Sequence, residues 1–349
     1  MLFSVHTETY DSLRGYVVPD SFSGLAKIRV ICDGYTVYQG PCDEVVPDLV
    51  RMGRHDTGMT SFTLDRGRVP DLAHARDLSI HDAETGILIY RRNLTDTYLQ
   101  KRLFRLETTL AMASPYARTL MPYFAYGLSD VQVYGHETIS QLFNLPHYKS
   151  MFFEGRVHIS AHQRYLTEQF FSAVSVVDPF VALAFTIDFL GHDDQLVLSQ
   201  LEEREYANLL PLAGYFDGIE IDRPEAVRRH LKTAPQDVLM GLESPLVGLL
   251  TGQTPGVGGA RSSIPAALNI LSMFNLVIFG HNTETGHSKL AQALGVNEQI
   301  LPQVVVPQHV QAMADALRDL SVLETALETD LIVYHCLEKA AEAAYQATT

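Results

Sequence analysis

One segment near the middle of the chain constrains the fold more than any other. Residues 171–177 form a largely apolar run that is typical of a strand buried on both faces. Asp178 and Pro179 follow directly, and residues 180–190 continue as an apolar stretch of helical length. A buried strand that passes straight into a helix is the repeating unit of a parallel sheet. The segment therefore predicts an α/β protein.

Further strands and helices alternate along the rest of the chain. Short strands are predicted at residues 149–153 and 275–280. Leu99, Leu103, Leu106 and Leu110 recur at helical spacing, which predicts a helix over residues 97–112. More helices are predicted at residues 137–143, 158–170, 194–210, 224–232, 264–273, 287–294 (closed by Gly295), 306–318 and 322–348. We expect a parallel sheet flanked by helices in one α/β domain, residues 94–349.

Residues 1–93 have a different pattern, with short alternating runs separated by turn residues. Asp33-Gly34 is a strong hairpin signal between residues 25–32 and 35–38. Gly86 lies in the turn of a second predicted hairpin, at a position that favours positive φ. These features predict a small, mostly β domain, either a sandwich or a barrel, in front of the α/β domain.

Charge and cysteine content limit the function classes. The net charge of −15 and pI of about 5.3 leave no basic face for nucleic acid. The 3 cysteines have no zinc or redox spacing, and we expect reduced thiols.

The first residues lack a signal-peptide pattern, and acids interrupt the longest apolar stretch, residues 173–190. We expect a cytoplasmic protein without a membrane span. The alanine-rich C-terminal helices allow two alternatives, packing within the chain or packing across a dimer.

Three segments follow one another after residue 94. Residues 171–185 give a strand and a helix around Asp-Pro, residues 274–295 a late strand and a short helix, and residues 328–335 a closing helix. Their order resembles that of the sulfotransferase family, a P-loop-type α/β superfamily. The resemblance implies phosphoadenosine phosphosulfate as the donor, no metal, and transfer of a sulfuryl group to a glycan or surface-polymer precursor. It also implies that Asp178 belongs to the nucleotide-binding element.

Arginines are the natural ligands for such a donor, since the guanidinium group matches sulfate and phosphate. Arg105 and Arg156 are therefore predicted, with Asp178, to form the donor site; the alternative is that these arginines pair with the many acids. The segment expected to cradle the phosphate, residues 103–109, has no glycine or lysine, and its Glu107 would repel an anion. The family's basic residue before Asp178 is here Val177.

Acid–base candidates lie at a predicted helix start. His136 and Glu137 follow Gly135 and are predicted to supply a general base. The alternative is a helix-capping role favoured by the helix dipole.

Weaker candidates lie elsewhere. Glu154, His158 and His162 would share one face of a continuous helix, a spacing compatible with a metal site, although surface histidines explain it better. The glycine-rich residues 256–263 predict a mobile loop or a lid, and residues 281–287 a polar loop after a strand.

Two functions therefore remain open from the sequence. The first is a divergent transferase in which Arg105, Arg156 and Asp178 hold the donor and His136 or Glu137 is the base. The second is a non-catalytic protein of the same fold that binds a glycan or a protein partner. Converging arginines and an open helix N-terminus near residues 104–108 would favour the first, and an apolar or acidic, filled cleft would favour the second.

Overall fold

The computed structural model divides the chain into two compact units. It describes residues 1–93, 98–110, 114–145, 148–191, 201, 203–253, 260–280 and 283–348. The first unit comprises Met1–Gln100, Tyr123–Leu128 and Tyr134–Met151, and the second comprises Lys101–Pro122, Ser129–Val133 and Phe152–Thr349. The division near residue 100 lies close to the predicted boundary after residue 93, and two later segments join the first unit.

The first unit contains two four-stranded antiparallel sheets, with strand orders β1-β2-β6-β5 and β4-β3-β7-β8. Both predicted hairpins form, because Asp33 (φ 49°), Gly34 (φ 88°) and Gly86 (φ 75°) adopt the positive φ values that their turns require. The elements are β1 (Leu2–Glu8), β2 (Ser12–Val18), β3 (Lys27–Cys32), β4 (Tyr35–Pro41), β5 (Glu44–Val45), α1 (Pro47–Arg51), β6 (Met59–Asp65), β7 (Asp77–Asp82), β8 (Leu88–Asn93) and α3 (His136–Phe143).

A five-stranded sheet with the order β10-β11-β9-β12-β13 provides the framework of the α/β part. Its strands are β9 (Arg102–Leu106), β10 (Tyr126–Leu128), β11 (Met151–Gly155), β12 (Phe171–Val176) and β13 (Leu276–Phe279). Strand β12 pairs in parallel with β9 on one side and with β13 on the other. The predicted parallel sheet flanked by helices is confirmed.

The predicted helix over residues 97–112 is wrong, because residues 102–106 form the strand β9. Leu103, Phe104, Arg105 and Leu106 are all buried, as expected for a central strand that is covered on both faces. Such a strand loses the alternation that identifies exposed strands, so its leucines matched helical spacing by coincidence. Residues 94–97 and 111–113 lie outside the described residues.

Helices cover both sides of the sheet, and most of them fall where the sequence predicts them. Helix α5 is buried on nearly every side and packs against α6 and α12, which explains its continuous apolar sequence. No helix in the described part of the chain combines the length and the apolar composition needed to cross a bilayer. The helices are α2 (Pro115–Leu120), α4 (Ile159–Glu168), α5 (Pro179–Gly191), α6 (Glu203–Phe216), α7 (Pro224–Leu231), α8 (Gln236–Gly241), α9 (Pro245–Thr251), α10 (Ile264–Leu271), α11 (Thr283–Leu294), α12 (Gln308–Leu317), α13 (Ser321–Ala326) and α14 (Glu328–Thr348).

Two helix predictions need adjustment. The helix predicted over residues 194–210 begins at Glu203 as far as the described residues extend, and residues 192–200 and 202 lie outside them. The predicted C-terminal helix over residues 322–348 is two helices, α13 and α14, separated at Leu327. Gly295 closes α11 with φ 71°, as its position after the apolar pattern predicts.

Candidate functional site

The sheet topology creates a crevice at the carboxyl ends of its central strands. Strand β9 precedes both of its neighbours in the chain, with β11 on one side and β12 on the other. In open α/β sheets, ligands bind at the carboxyl ends of the strands, at the position where the strand order reverses and the connections lead to opposite sides. A cavity of about 720 Å³ lies here and is called the carboxyl-edge crevice. It is lined by residues 105, 107, 109–110, 114–116, 175–178, 181, 185, 188–189, 278–280, 283, 303–307 and 334.

The carboxyl-edge crevice is mainly apolar. Phe185 and Phe189 from α5 and Phe279 from β13 contribute aromatic surface. On the segment before α12, the side chains of Val304 and Val305 remain 45% and 77% exposed although they line the crevice. A concave surface of this volume, whose exposed area is mainly apolar and which also has polar groups, has the properties of a small-molecule site.

A buried charge cluster lies at the end of β9. Arg105 is only 4% exposed, and its Nη1 lies 2.8 Å from Glu107 Oε2 and 3.6 Å from Glu154 Oε1. Its guanidinium also stacks on the ring of Tyr116, with 4.0 Å between the guanidinium carbon and the ring centroid. Burial opposes the charge, but the two carboxylates outweigh burial and raise the pKa of Arg105. Arg105 is thus a paired structural cation.

Glu107 organises the loop that follows β9. Its Oε1 accepts hydrogen bonds from the backbone N–H groups of Thr108 and Thr109, both at 3.1 Å, and from the Thr109 hydroxyl at 2.7 Å. This loop is where the resemblance to sulfotransferases places the phosphate cradle. The Glu107 carboxylate therefore uses the donors that a bound phosphate would need.

Glu154 is the most unusual ionisable group of the site. It lies near the end of β11 and is 2% exposed. The Ser114 hydroxyl faces it, but neither carboxylate oxygen accepts a hydrogen bond of normal geometry from the described residues. Burial raises the pKa of Glu154 to about 7, because the favourable charge of Arg105 offsets burial only in part and Glu107 adds repulsion. A carboxyl group that titrates near neutral pH is typical of functional sites.

A second, smaller cavity of about 30 Å³ adjoins Glu154 and is called the Glu154 cavity. It shares Glu107, Thr109, Leu110, Ser114 and Phe189 with the carboxyl-edge crevice, so the same five residues contribute to both spaces. Its other lining residues are Asp130, Gln132, Glu154, Gly155, Arg156 and Leu201.

Arg156 is also fully engaged. Its Nε and Nη2 donate to Glu205 Oε1 at 3.0 and 2.7 Å, and its Nη1 donates to the Thr108 carbonyl oxygen at 2.7 Å. Its backbone N–H donates to Gln132 Oε1 at 3.0 Å. Gly155 permits this arrangement, because a Cβ there would lie 2.4 Å from Gln132 Oε1. Each guanidinium nitrogen therefore has an acceptor within the chain, and the group stabilises the edge of the site.

Asp178 has a local structural role. Its Oδ1 accepts hydrogen bonds from the backbone N–H groups of Phe180 at 2.9 Å and Val181 at 3.3 Å, as an N-cap does. The same oxygen lies 2.9 Å from Arg318 Nη2. The structure brings Arg105 and Asp178 to one crevice as the sequence predicts, and each is paired with residues of the chain itself.

His136 and Glu137 belong to the first unit, whereas Arg105, Arg156 and Asp178 belong to the second. Glu137 accepts a hydrogen bond from Arg54, and its Oε2 lies 3.5 Å from the N-terminal amine. Glu137 is in the first turn of α3, the position that the helix dipole favours for an acid. The general-base role of these two residues stays a prediction.

The predicted metal-compatible face does not form as one helix. Glu154 is on β11, His158 precedes α4 as its N-cap, and His162 is within α4. Within the described residues, no group of three or more histidine, cysteine or acidic side chains is placed to hold a metal. Of the two loop candidates, residues 254–259 and 281–282 lie outside the described residues.

One contact of the site could not be found by sequence reasoning. The hydroxyl group of Tyr116 is hydrogen-bonded to Nε2 of His287, which lies on α11 and is 171 positions away in the chain. Burial raises the pKa of Tyr116 and lowers that of His287, so both groups are held neutral at physiological pH. No local pattern links them, because the contact depends on how α2 and α11 meet at the crevice.

Comparison of the chain with protein-family models, with curated proteins and with solved structures finds no match. The sulfotransferase resemblance therefore rests on the order of three segments alone and stays a prediction.

Proposed function

We propose that this chain is a binding protein for a small, largely apolar molecule, which it takes up in the carboxyl-edge crevice. We also propose that it does not use phosphoadenosine phosphosulfate and transfers no sulfuryl group. The observation that carries the binding proposal is the mainly apolar crevice of about 720 Å³. The exclusion of the donor rests on the Glu107 carboxylate, which accepts the loop N–H groups of Thr108 and Thr109 that a phosphate would need.

The charges of the crevice support the exclusion of a polyanionic donor. Glu107, Asp178 and Asp188 line the crevice, and the guanidinium of Arg105 is already paired with two carboxylates. A phosphorylated nucleotide would approach these carboxylates without an unpaired arginine from the predicted donor site. Burying such an anion without compensating charge is strongly unfavourable.

The apolar lining supports a hydrophobic ligand. Val305 is 77% exposed in the free protein, and a ligand that covers it would gain the favourable free energy of removing apolar surface from water, about 25 cal/mol per Å². The crevice volume of about 720 Å³ is within the range of sites for drug-sized molecules.

A single engineered tryptophan tests the proposal, because the chain contains none. Phe185→Trp places the reporter in the crevice, and its fluorescence is followed during titration with hexanol and, separately, with phosphoadenosine phosphate, the desulfated donor product. We expect a saturable change with hexanol and none with the nucleotide.

Two aspartate substitutions of exposed valines provide the matched comparison. Val305→Asp in the Phe185→Trp background is expected to weaken hexanol binding by about tenfold or more, since it places a charge beside the ligand. Val50→Asp, at an exposed valine of the first unit, should leave binding unchanged. Saturable nucleotide binding that is lost in Arg105→Ala or Arg156→Ala would overturn the proposal in favour of a transferase. A flat hexanol titration would also overturn it.

A further inference from the structure

We propose that the Glu154 cavity receives the ammonium group of a primary amine, whose apolar body lies in the carboxyl-edge crevice. The inference rests on the proposed function, since it assigns a ligand class to the same crevice. It follows from four properties of the cavity: its unsatisfied acceptors, its charge balance, its size and its continuity with the crevice.

The first property is the state of Glu154. Its side chain is 2% exposed and lines the cavity. Arg105 Nη1, at 3.6 Å, and the Ser114 hydroxyl face it, but neither carboxylate oxygen accepts a hydrogen bond of normal geometry within the part of the chain that the structure describes. Leaving a buried acceptor unpaired is costly, and the cost is greater for a charged acceptor. The N–H groups of an ammonium ion would supply the missing donors and a compensating charge together.

The second property is the charge of the groups around Glu154. Arg105 pairs with Glu107 and Glu154, and Arg156 pairs with Glu205. With Asp130, which also lines the cavity, four carboxylates stand against two guanidinium groups among the described residues, so the ionised groups carry excess negative charge. A cation is therefore the complementary ligand charge, and a carboxylate or phosphate is not.

The third property is size. A volume of about 30 Å³ admits one or two water-sized groups, since about 10–15 Å³ suffices for one water. An ammonium group and the carbon attached to it fit such a space, whereas a trimethylammonium group exceeds it. A trimethylammonium group also has no N–H to donate, so it cannot satisfy the oxygens of Glu154.

The fourth property is continuity. Leu110 and Phe189 line both the small cavity and the apolar crevice, together with the polar Glu107, Thr109 and Ser114. A ligand can thus place its cationic end beside Glu154 while its hydrocarbon chain contacts the crevice. This combination describes an alkyl or aryl-alkyl primary amine.

Proton release should accompany amine binding. Glu154, with a pKa of about 7 in the free protein, must be ionised to pair with the ammonium ion. The groups that face it are Arg105, Glu107, Asp130 and the Ser114 hydroxyl. Affinity for the amine should therefore rise as pH increases through about 7, while affinity for a neutral alcohol should not.

Calorimetric titrations with three ligands of equal chain length test the inference. Hexylamine, hexanol and trimethylhexylammonium are titrated into the wild-type protein and into Glu154→Gln at about pH 8. We expect hexylamine to bind the wild type about tenfold or more tightly than the other two ligands, as a charge-assisted hydrogen bond requires. In Glu154→Gln this preference should disappear while hexanol binding persists. Glu225→Gln, which removes an exposed charge on α7, controls for net charge and should retain the preference.

The outcomes separate this inference from the proposed function. Hexanol binding without an amine preference would overturn the inference and leave the proposed function standing. An amine preference that survives in Glu154→Gln would place the cation elsewhere and also overturn the inference. No binding of any of the three ligands would refute the proposed function itself. The folding of each variant is checked by its urea unfolding transition.

Discussion

Replacing Glu154 by glutamine should stabilise the protein, by an amount that grows as pH rises from about 4.5 to about 7. Glutamine is close in shape to the protonated acid and carries no charge. The pKa of Glu154 is raised by burial from an ordinary 4.5 to about 7. Between these two values the native state holds a proton that the unfolded state has already released. Wild-type stability therefore falls as pH rises through this window, and the variant lacks this contribution.

The size of the effect follows from the pKa difference. At about 1.4 kcal/mol for each pKa unit, the full effect is about 3 kcal/mol, reached above a pH of about 7. The free energy of unfolding of Glu154→Gln should thus match that of the wild type near about pH 4 and exceed it by about 1–3 kcal/mol near about pH 8.

Urea unfolding of both proteins across this pH range measures the difference, and the same transition must be followed in each protein. Because all other titrations are common to the two proteins, the difference isolates Glu154. A variant that is less stable than the wild type at about pH 8 would refute the reasoning, since it would mean that the ionised carboxylate is stabilising in the native state. A difference that does not change with pH would refute it as well.

Three further perturbations have definite expected results. Gly155→Ala should lower the free energy of unfolding in urea by about 1–3 kcal/mol, because the added Cβ would overlap Val131 and Gln132. An unchanged unfolding midpoint would contradict this packing. Asp330→Ala should destabilise the protein by about 1–3 kcal/mol at about pH 5, since the two N–H groups at the start of α9 lose their acceptors. Burial raises the pKa of Asp330 to about 7, so at this pH the substitution removes no buried charge; equal stability in thermal unfolding would contradict this cap. In the native protein a thiol reagent should modify Cys336 quickly and the buried Cys32 and Cys42 slowly, because burial raises the pKa of the Cys32 and Cys42 thiols. Rapid reaction of all three thiols before unfolding would contradict the burial of Cys32 and Cys42.

The sequence predicted those elements whose pattern is local. The strand and helix around Asp178, the two hairpins of the first unit and the glycine cap at Gly295 each carry their signal within a few residues. Strand β9 was missed because it is buried on both faces, and a uniformly apolar strand cannot be separated from a helix by periodicity alone.

The candidate site shows where local patterns stop being sufficient. The sequence placed Arg105 in the site and identified Glu107 as a group that repels phosphate, and both lie at the carboxyl-edge crevice. The raised pKa of Glu154 depends on the burial of its side chain and on the charge of Arg105 on the neighbouring strand. No spacing in the sequence encodes either of them. The contact between Tyr116 and His287 likewise exists only through the tertiary fold.

The most direct test of the account is to observe where each ligand binds. Methyl-labelled protein is titrated with hexylamine and, in a second sample, with phosphoadenosine phosphate, and the NMR shifts of valine and isoleucine methyl groups are followed. The account predicts that hexylamine shifts the methyl groups of Val181, Ile278 and Val305, which line the crevice, and that the nucleotide shifts none of them. Shifts of these methyl groups with the nucleotide, or none with hexylamine, would contradict it.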